Sequence, residues 1–127
     1  MRFISTRVHA WFDYIVFGLL IIGPWILGVA DSSAATIIPV VFGIVGILYS
    51  LFTDYEGSVS RQITMPNHLT LDFIGGVFLA ISPWLFGFNS IIWVPYLVIG
   101  LLEIGGALFT NTVPDYCPEG APCYKYS

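Results

Sequence analysis

HAWFDYIVFGLLIIGPWILG, residues 9–28, and HLTLDFIGGVFLAISPWLFG, residues 68–87, are two versions of one helix. His9, Asp13, Ile15, Leu20, Ile22, Pro24, Trp25 and Gly28 recur 59 residues later as His68, Asp72, Ile74, Leu79, Ile81, Pro83, Trp84 and Gly87. A second match follows at a spacing of 57, where Val41, Gly43, Ile47, Leu51, Phe52 and Thr53 return as Val98, Gly100, Ile104, Leu108, Phe109 and Thr110. The change of spacing makes the first hairpin tip two residues longer than the second. The repeated unit is therefore a pair of hydrophobic helices, present twice.

The composition places that unit in a membrane. The chain is 57% hydrophobic and 9% charged, with a mean hydropathy of +0.85, whereas soluble domains carry about 25% charged residues. Apolar runs at roughly 10–30, 35–53, 69–88 and 91–110 each approach the ~20 residues needed to cross ~30 Å of hydrocarbon. Runs of that length satisfy their backbone as helices rather than as the short alternating strands of a barrel. The expected fold is all-α, with four transmembrane helices from two tandem repeats in a pseudo-twofold bundle. The expected division is residues 1–56 for the first repeat, 57–67 for a linker, 68–112 for the second repeat and 113–127 for a tail.

Four spans put both ends of the chain on one side. Arg2, Arg7, Arg61 and Lys125 all fall there, and the tips near Asp31–Ala35 and Asn89–Ser90 contain no Lys or Arg. The positive-inside rule then places both termini and the central loop in the cytoplasm of an inner membrane. A cleaved signal peptide is the rival reading of the first span, with Gly28-Val29-Ala30 as its small-residue site. The internal recurrence of the same His, Asp, Pro and Trp argues against it. The net charge of −4 includes no basic patch, so nucleic acid is not an expected partner.

Pro24 and Pro83 are expected to break or kink the first helix of each unit, with Ser82 capping a short restart at Pro83. Trp25 and Trp84 then sit at the outer interface. Pro39 and Pro95 are expected near span starts, where proline costs little. Glycines including Gly43, Gly46, Gly76 and Gly100 mark close helix approaches.

Chemistry concentrates at few positions. His9 with Asp13, and His68 with Asp72, are four residues apart and share a helix face. The pseudo-twofold brings the two pairs to one depth, where facing pairs would suit a divalent metal, a bis-His haem or a proton relay, or simply lock the bundle. Glu103 replaces Gly46 of the first unit and so breaks the symmetry with a carboxyl inside a span, where Gly46 is expected to leave room for it. Cys117 and Cys123 form a C-x5-C pair that fits no standard zinc or redox motif, and a cytoplasmic tail would keep them as thiols.

His-x3-Asp entering a span, Ser82-Pro83-Trp84 with Gly87 at its end, and a second span behind it resemble the SPW repeat family of small bacterial membrane proteins. Residues 9–53 and 68–110 cover the two copies; the first departs from the motif with Gly23-Pro24-Trp25. The resemblance implies a two-helix membrane repeat and brings no assigned activity. The leading expectation is a non-enzymatic scaffold or accessory membrane subunit, without a cofactor, in contact with lipid and with further copies or other membrane subunits. The alternatives are an oligomeric transporter or channel subunit with a polar path through Glu103 and the His/Asp pairs, and a haem- or metal-binding redox protein.

Overall fold

The computed structural model describes residues 1–31 and 33–117. They form four helices, α1 Thr6–Ile26, α2 Ala34–Leu51, α3 Met65–Leu85 and α4 Val94–Phe109. The first three are long and apolar enough to cross a membrane; α4 is apolar but has 16 residues. Helix α3 starts earlier than the apolar run because Pro66 in its first turn favours a helix start there, which puts His68 inside the helix rather than before it.

The outer surface is apolar, and a polar cluster is buried alongside the apolar core. Trp11, Ile15, Ile22, Ile74, Leu101 and many other large apolar residues face outward, while His9, Asp13, His68, Asp72 and Glu103 are buried. Lipid-facing apolar surface with a polar interior is the arrangement expected of membrane helices.

Helix α1 packs along α2, and α3 along α4, through glycines. A Cβ on Gly43 would lie 2.5 Å from the Phe17 carbonyl, and one on Gly100 would lie 2.5 Å from the Gly76 carbonyl. These are the same crossing in the two repeats, since Phe17 aligns with Gly76. One turn further along, the repeats use opposite residues. Gly46 of α2 receives the Phe17 ring, whereas Gly76 of α3 lies against the Glu103 side chain of α4. The space at Gly46 is therefore filled by Phe17, and Glu103 occupies room left by Gly76, which corrects the expectation drawn from alignment alone.

The prolines also depart from expectation. Neither Pro24 nor Pro83 breaks its helix: both lie in the last turn, as the third-last residue. Val29 N–H donates to the Pro24 carbonyl at 2.9 Å and Phe88 N–H to the Pro83 carbonyl at 2.9 Å, while Gly28 and Gly87 take φ of 69° and 72°. This is a Schellman ending, in which the residue just past the cap needs a left-handed backbone. Pro-Trp-x-x-Gly is thus a stop signal. Ser82 does not cap a restart. Its hydroxyl donates to the Leu79 carbonyl at 2.8 Å, the acceptor that loses its helical partner because Pro83 has no N–H.

Pro39 lies inside α2, beyond the positions where proline is free of cost, and deprives the Ala35 carbonyl in the same way. The Tyr96 hydroxyl of α4 donates to that carbonyl. This bond joins the repeats at the tip end, within an apolar cluster that includes Phe17, Leu20, Leu79 and Phe88. Trp25 and Trp84 stay more than half exposed at this end, as interfacial indoles do.

Candidate functional site

At the opposite end the first eight residues of α1 and α3 bring both His/Asp pairs together. His9 Nε2 lies 3.3 Å from His68 Nε2, 3.0 Å from Asp72 Oδ2 and 3.4 Å from Asp13 Oδ1. His68 Nε2 lies 3.0 Å from Asp13 Oδ2 and 3.1 Å from Asp72 Oδ2. Each histidine thus contacts the aspartate of its own repeat and that of the other. All four side chains are at most 1% exposed.

Threonines just past the end of each repeat's second helix orient the rings. His68 Nδ1 is 2.7 Å from Thr53 Oγ1, and His9 Nδ1 is 3.0 Å from Thr110 Oγ1. Thr53 gives its one hydroxyl proton to the Tyr49 carbonyl at 2.8 Å, so it accepts from His68, and His68 carries a proton on Nδ1. The threonines are exchanged between repeats: Thr53 serves the histidine of the second, Thr110 that of the first. The backbone repeats the exchange, because the bridges Ile4–Thr110 and Thr53–Ile63 occupy equivalent positions.

The tyrosines are not symmetric. Tyr49 donates to Asp72 Oδ1 at 2.6 Å and Tyr55 to Asp13 Oδ2 at 3.2 Å. Both come from the first repeat; their counterparts are Gly106 and Thr112. Tyr55 lies outside the spans, and its phenol is pushed up first by burial and then by the Asp13 charge, so it serves as a hydrogen-bond donor. A Cβ on Gly106 would meet the His9 ring at 3.3 Å. Beside it an apolar cleft of about 240 Å³, lined by Val8, Phe12, Leu101 and Gly105 among others, reaches His9.

The chain folds over the outer end of the cluster. Thr6 Oγ1 donates to Glu56 at 2.8 Å and accepts from Asp115 N–H at 2.9 Å, and Tyr116 donates through its hydroxyl to Asp54. The Arg2 guanidinium donates to the Ala107 carbonyl at 3.0 Å and to the Thr110 carbonyl, where cations suit the negative end of α4. Arg61 lies 4.1 Å over the Tyr116 ring and 3.8 Å from Asp54.

Glu103 does not join the bonded cluster. It is 1% exposed and neither carboxyl oxygen has a hydrogen-bond partner among the described residues. Cys117 is disulfide-bonded, where a cytoplasmic tail would hold a thiol; Cys123 lies outside the described residues, as does Lys125. Sequence reasoning found both His/Asp pairs but gave no role to Thr53, Thr110, Tyr49 or Tyr55. Recurrence of the threonines was the available signal; the unmatched tyrosines gave none.

The two Nε2 atoms, 3.3 Å apart, stand closer than the ~4 Å that opposite ligands of one ion span at bonds of ~2 Å. Fold and site together define an integral membrane protein of duplicated helix pairs joined through a buried polar centre. The SPW repeat domain matches residues 7–110, and the chain belongs to the SPW repeat family. No curated protein and no solved structure matches it.

Proposed function

We propose that this protein is a non-enzymatic scaffold or accessory subunit of a bacterial inner membrane, presenting a fixed apolar helical surface to lipid and to other membrane subunits or further copies of itself. The observation that carries this reading is the sealing of the His/Asp centre: its four side chains are at most 1% exposed and bond inward to one another. Only an apolar cleft approaches the centre, at the edge of His9, and its other lining residues are apolar, so a polar substrate finds no path there. The proposed orientation has both termini and the central loop cytoplasmic, supported by the basic residues at that end. The disulfide at Cys117 points the other way, since such bonds persist in oxidising compartments. Impermeant thiol labelling in intact cells, with Ser58→Cys and Ser90→Cys placed separately in a background lacking both native cysteines, decides between them. Labelling at 90 alone is expected; labelling at 58 alone inverts the topology.

A second reading, a transporter or channel subunit, draws on Glu103, because an unbonded carboxyl is costly inside a membrane. Reconstituted protein is expected to show no proton or cation flux in dye-loaded vesicles, and Glu103→Gln to change neither the fold nor that result. A pH-dependent flux that disappears in Glu103→Gln would replace the scaffold reading with the transporter one.

A further inference from the structure

We propose that His9, Asp13, His68 and Asp72 form a four-coordinate site for one divalent transition-metal ion, with zinc the first candidate, pinning the two repeats together inside the membrane. This goes beyond the scaffold reading and is tested independently of it.

The geometry supplies the first argument. With metal–ligand bonds of ~2.0–2.1 Å, the corners of a tetrahedron lie ~3.3–3.4 Å apart. The distances His9 Nε2–His68 Nε2, 3.3 Å, His9 Nε2–Asp72 Oδ2, 3.0 Å, and His68 Nε2–Asp13 Oδ2, 3.0 Å, require small shifts to reach that edge length. Donor atoms from all four residues lie within 4.8 Å of one another. Two imidazole nitrogens with two carboxylates are a donor set that zinc and its first-row neighbours accept.

The surroundings supply the second. Metal-bound histidines use their other ring nitrogen as a donor to an orienting group, and metal-bound carboxylates accept further hydrogen bonds. Here Thr53 and Thr110 hold the Nδ1 side of the rings, while Tyr49 and Tyr55 hold the carboxylates. With its Nδ1 proton directed to Thr53, His68 as a neutral ring turns the Nε2 lone pair on the centre. Asp13 Oδ1 is buried, has no hydrogen-bond partner among the described residues and lies 3.4 Å from His9 Nε2, so it remains available as a ligand atom at the centre. A divalent cation would also balance two aspartates in a place where net charge is expensive.

The rival is an ion-free cluster that shares protons between imidazoles and carboxylates. To separate the two, the full chain is produced in zinc-supplemented medium, purified in detergent, passed through metal-free buffer and assayed by elemental mass spectrometry. About one zinc per chain is expected, and production with cobalt instead should give the visible d–d absorption of a tetrahedral ion. Asp72→Asn should lower metal affinity at least tenfold, Thr110→Val by about 10–100-fold, and Cys117→Ser should leave it unchanged. Helical, monodisperse wild-type protein with less than a tenth of an equivalent, from zinc and cobalt medium alike, overturns the proposal. Metal retained by both Asp72→Asn and His68→Gln also overturns it, because the ion then lies elsewhere. Should the variants fail to fold, the wild-type stoichiometry and cobalt spectrum decide between the ion and the ion-free cluster.

Discussion

The two repeats fill the same gap from opposite sides. In the first, an aromatic ring on α1 enters a glycine notch on α2, Phe17 over Gly46; in the second the notch is on α3 and the filler comes from α4, Glu103 over Gly76. The large residue moved and the volume stayed. The comparison shows that a symmetry break visible in a repeat alignment is not by itself a sign of function, because Glu103 has a packing partner whose identity changed with it. What packing does not explain is why the filler should be a carboxyl.

The largest expected effect tests that comparison directly. Phe17→Ala removes a fully buried ring and should cost ~3–5 kcal/mol of unfolding free energy in detergent. Gly46→Ala should destabilise the native chain but be tolerated in the Phe17→Ala background, a coupling that a double-mutant cycle reads. Additive effects would show that the ring and the notch are independent.

Next in size are the shared crossings. Gly43→Ala and Gly100→Ala push a methyl against a backbone carbonyl, and each should cost ~1–3 kcal/mol in the same assay. Gly18→Ala and Gly105→Ala meet nothing within 4 Å and should stay within ~0.5 kcal/mol of the parent. A tolerated Gly100→Ala would mean that the helices approach less closely than described.

The His/Asp centre should treat the repeats alike. His9→Ala and His68→Ala each remove a fully buried ring with equivalent hydrogen-bonding partners, and each should lower stability by about 0.6–2 kcal/mol through lost polar contacts. A loss confined to one of them would break the pseudo-twofold at its centre.

The smallest effect concerns the stop signal. Ser82→Ala leaves the Leu79 carbonyl without its donor and should cost ~0.6 kcal/mol. The first repeat has Gly23 there, with open space around it, so Gly23→Ser should gain a similar amount, detected as a higher unfolding temperature. A loss on adding the hydroxyl would mean that the Leu20 carbonyl already has a partner.

Repetition made much of the architecture legible in the residues themselves. It gave the helix pairs and the two His/Asp pairs, since residues that recur together at i and i+4 must face one way in both copies. Its reach ended where the copies differ. Tyr49 and Tyr55 align with Gly106 and Thr112, so no recurrence singled them out, although they hold both carboxylates. Pro24 and Pro83 misled for another reason: a helix-interior proline and one in the final turn look the same until Gly28 and Gly87 are read as left-handed cap residues. Gly46 misled because alignment compares equivalent positions, whereas packing joins a residue to its neighbour on the other helix.

The exchanged threonines carry a consequence for how such a chain comes to exist. Each histidine is oriented by the threonine of the opposite repeat, so one helix pair alone holds a ring without its support and an Asp without its second contact. Two separate copies of that pair, related by a twofold axis, would supply every missing partner. The duplicated chain is in this sense a homodimer written on one strand. Covalent linkage frees its halves from having to be identical, which is what allows tyrosines to gather on one side of the centre and an apolar cleft to open on the other.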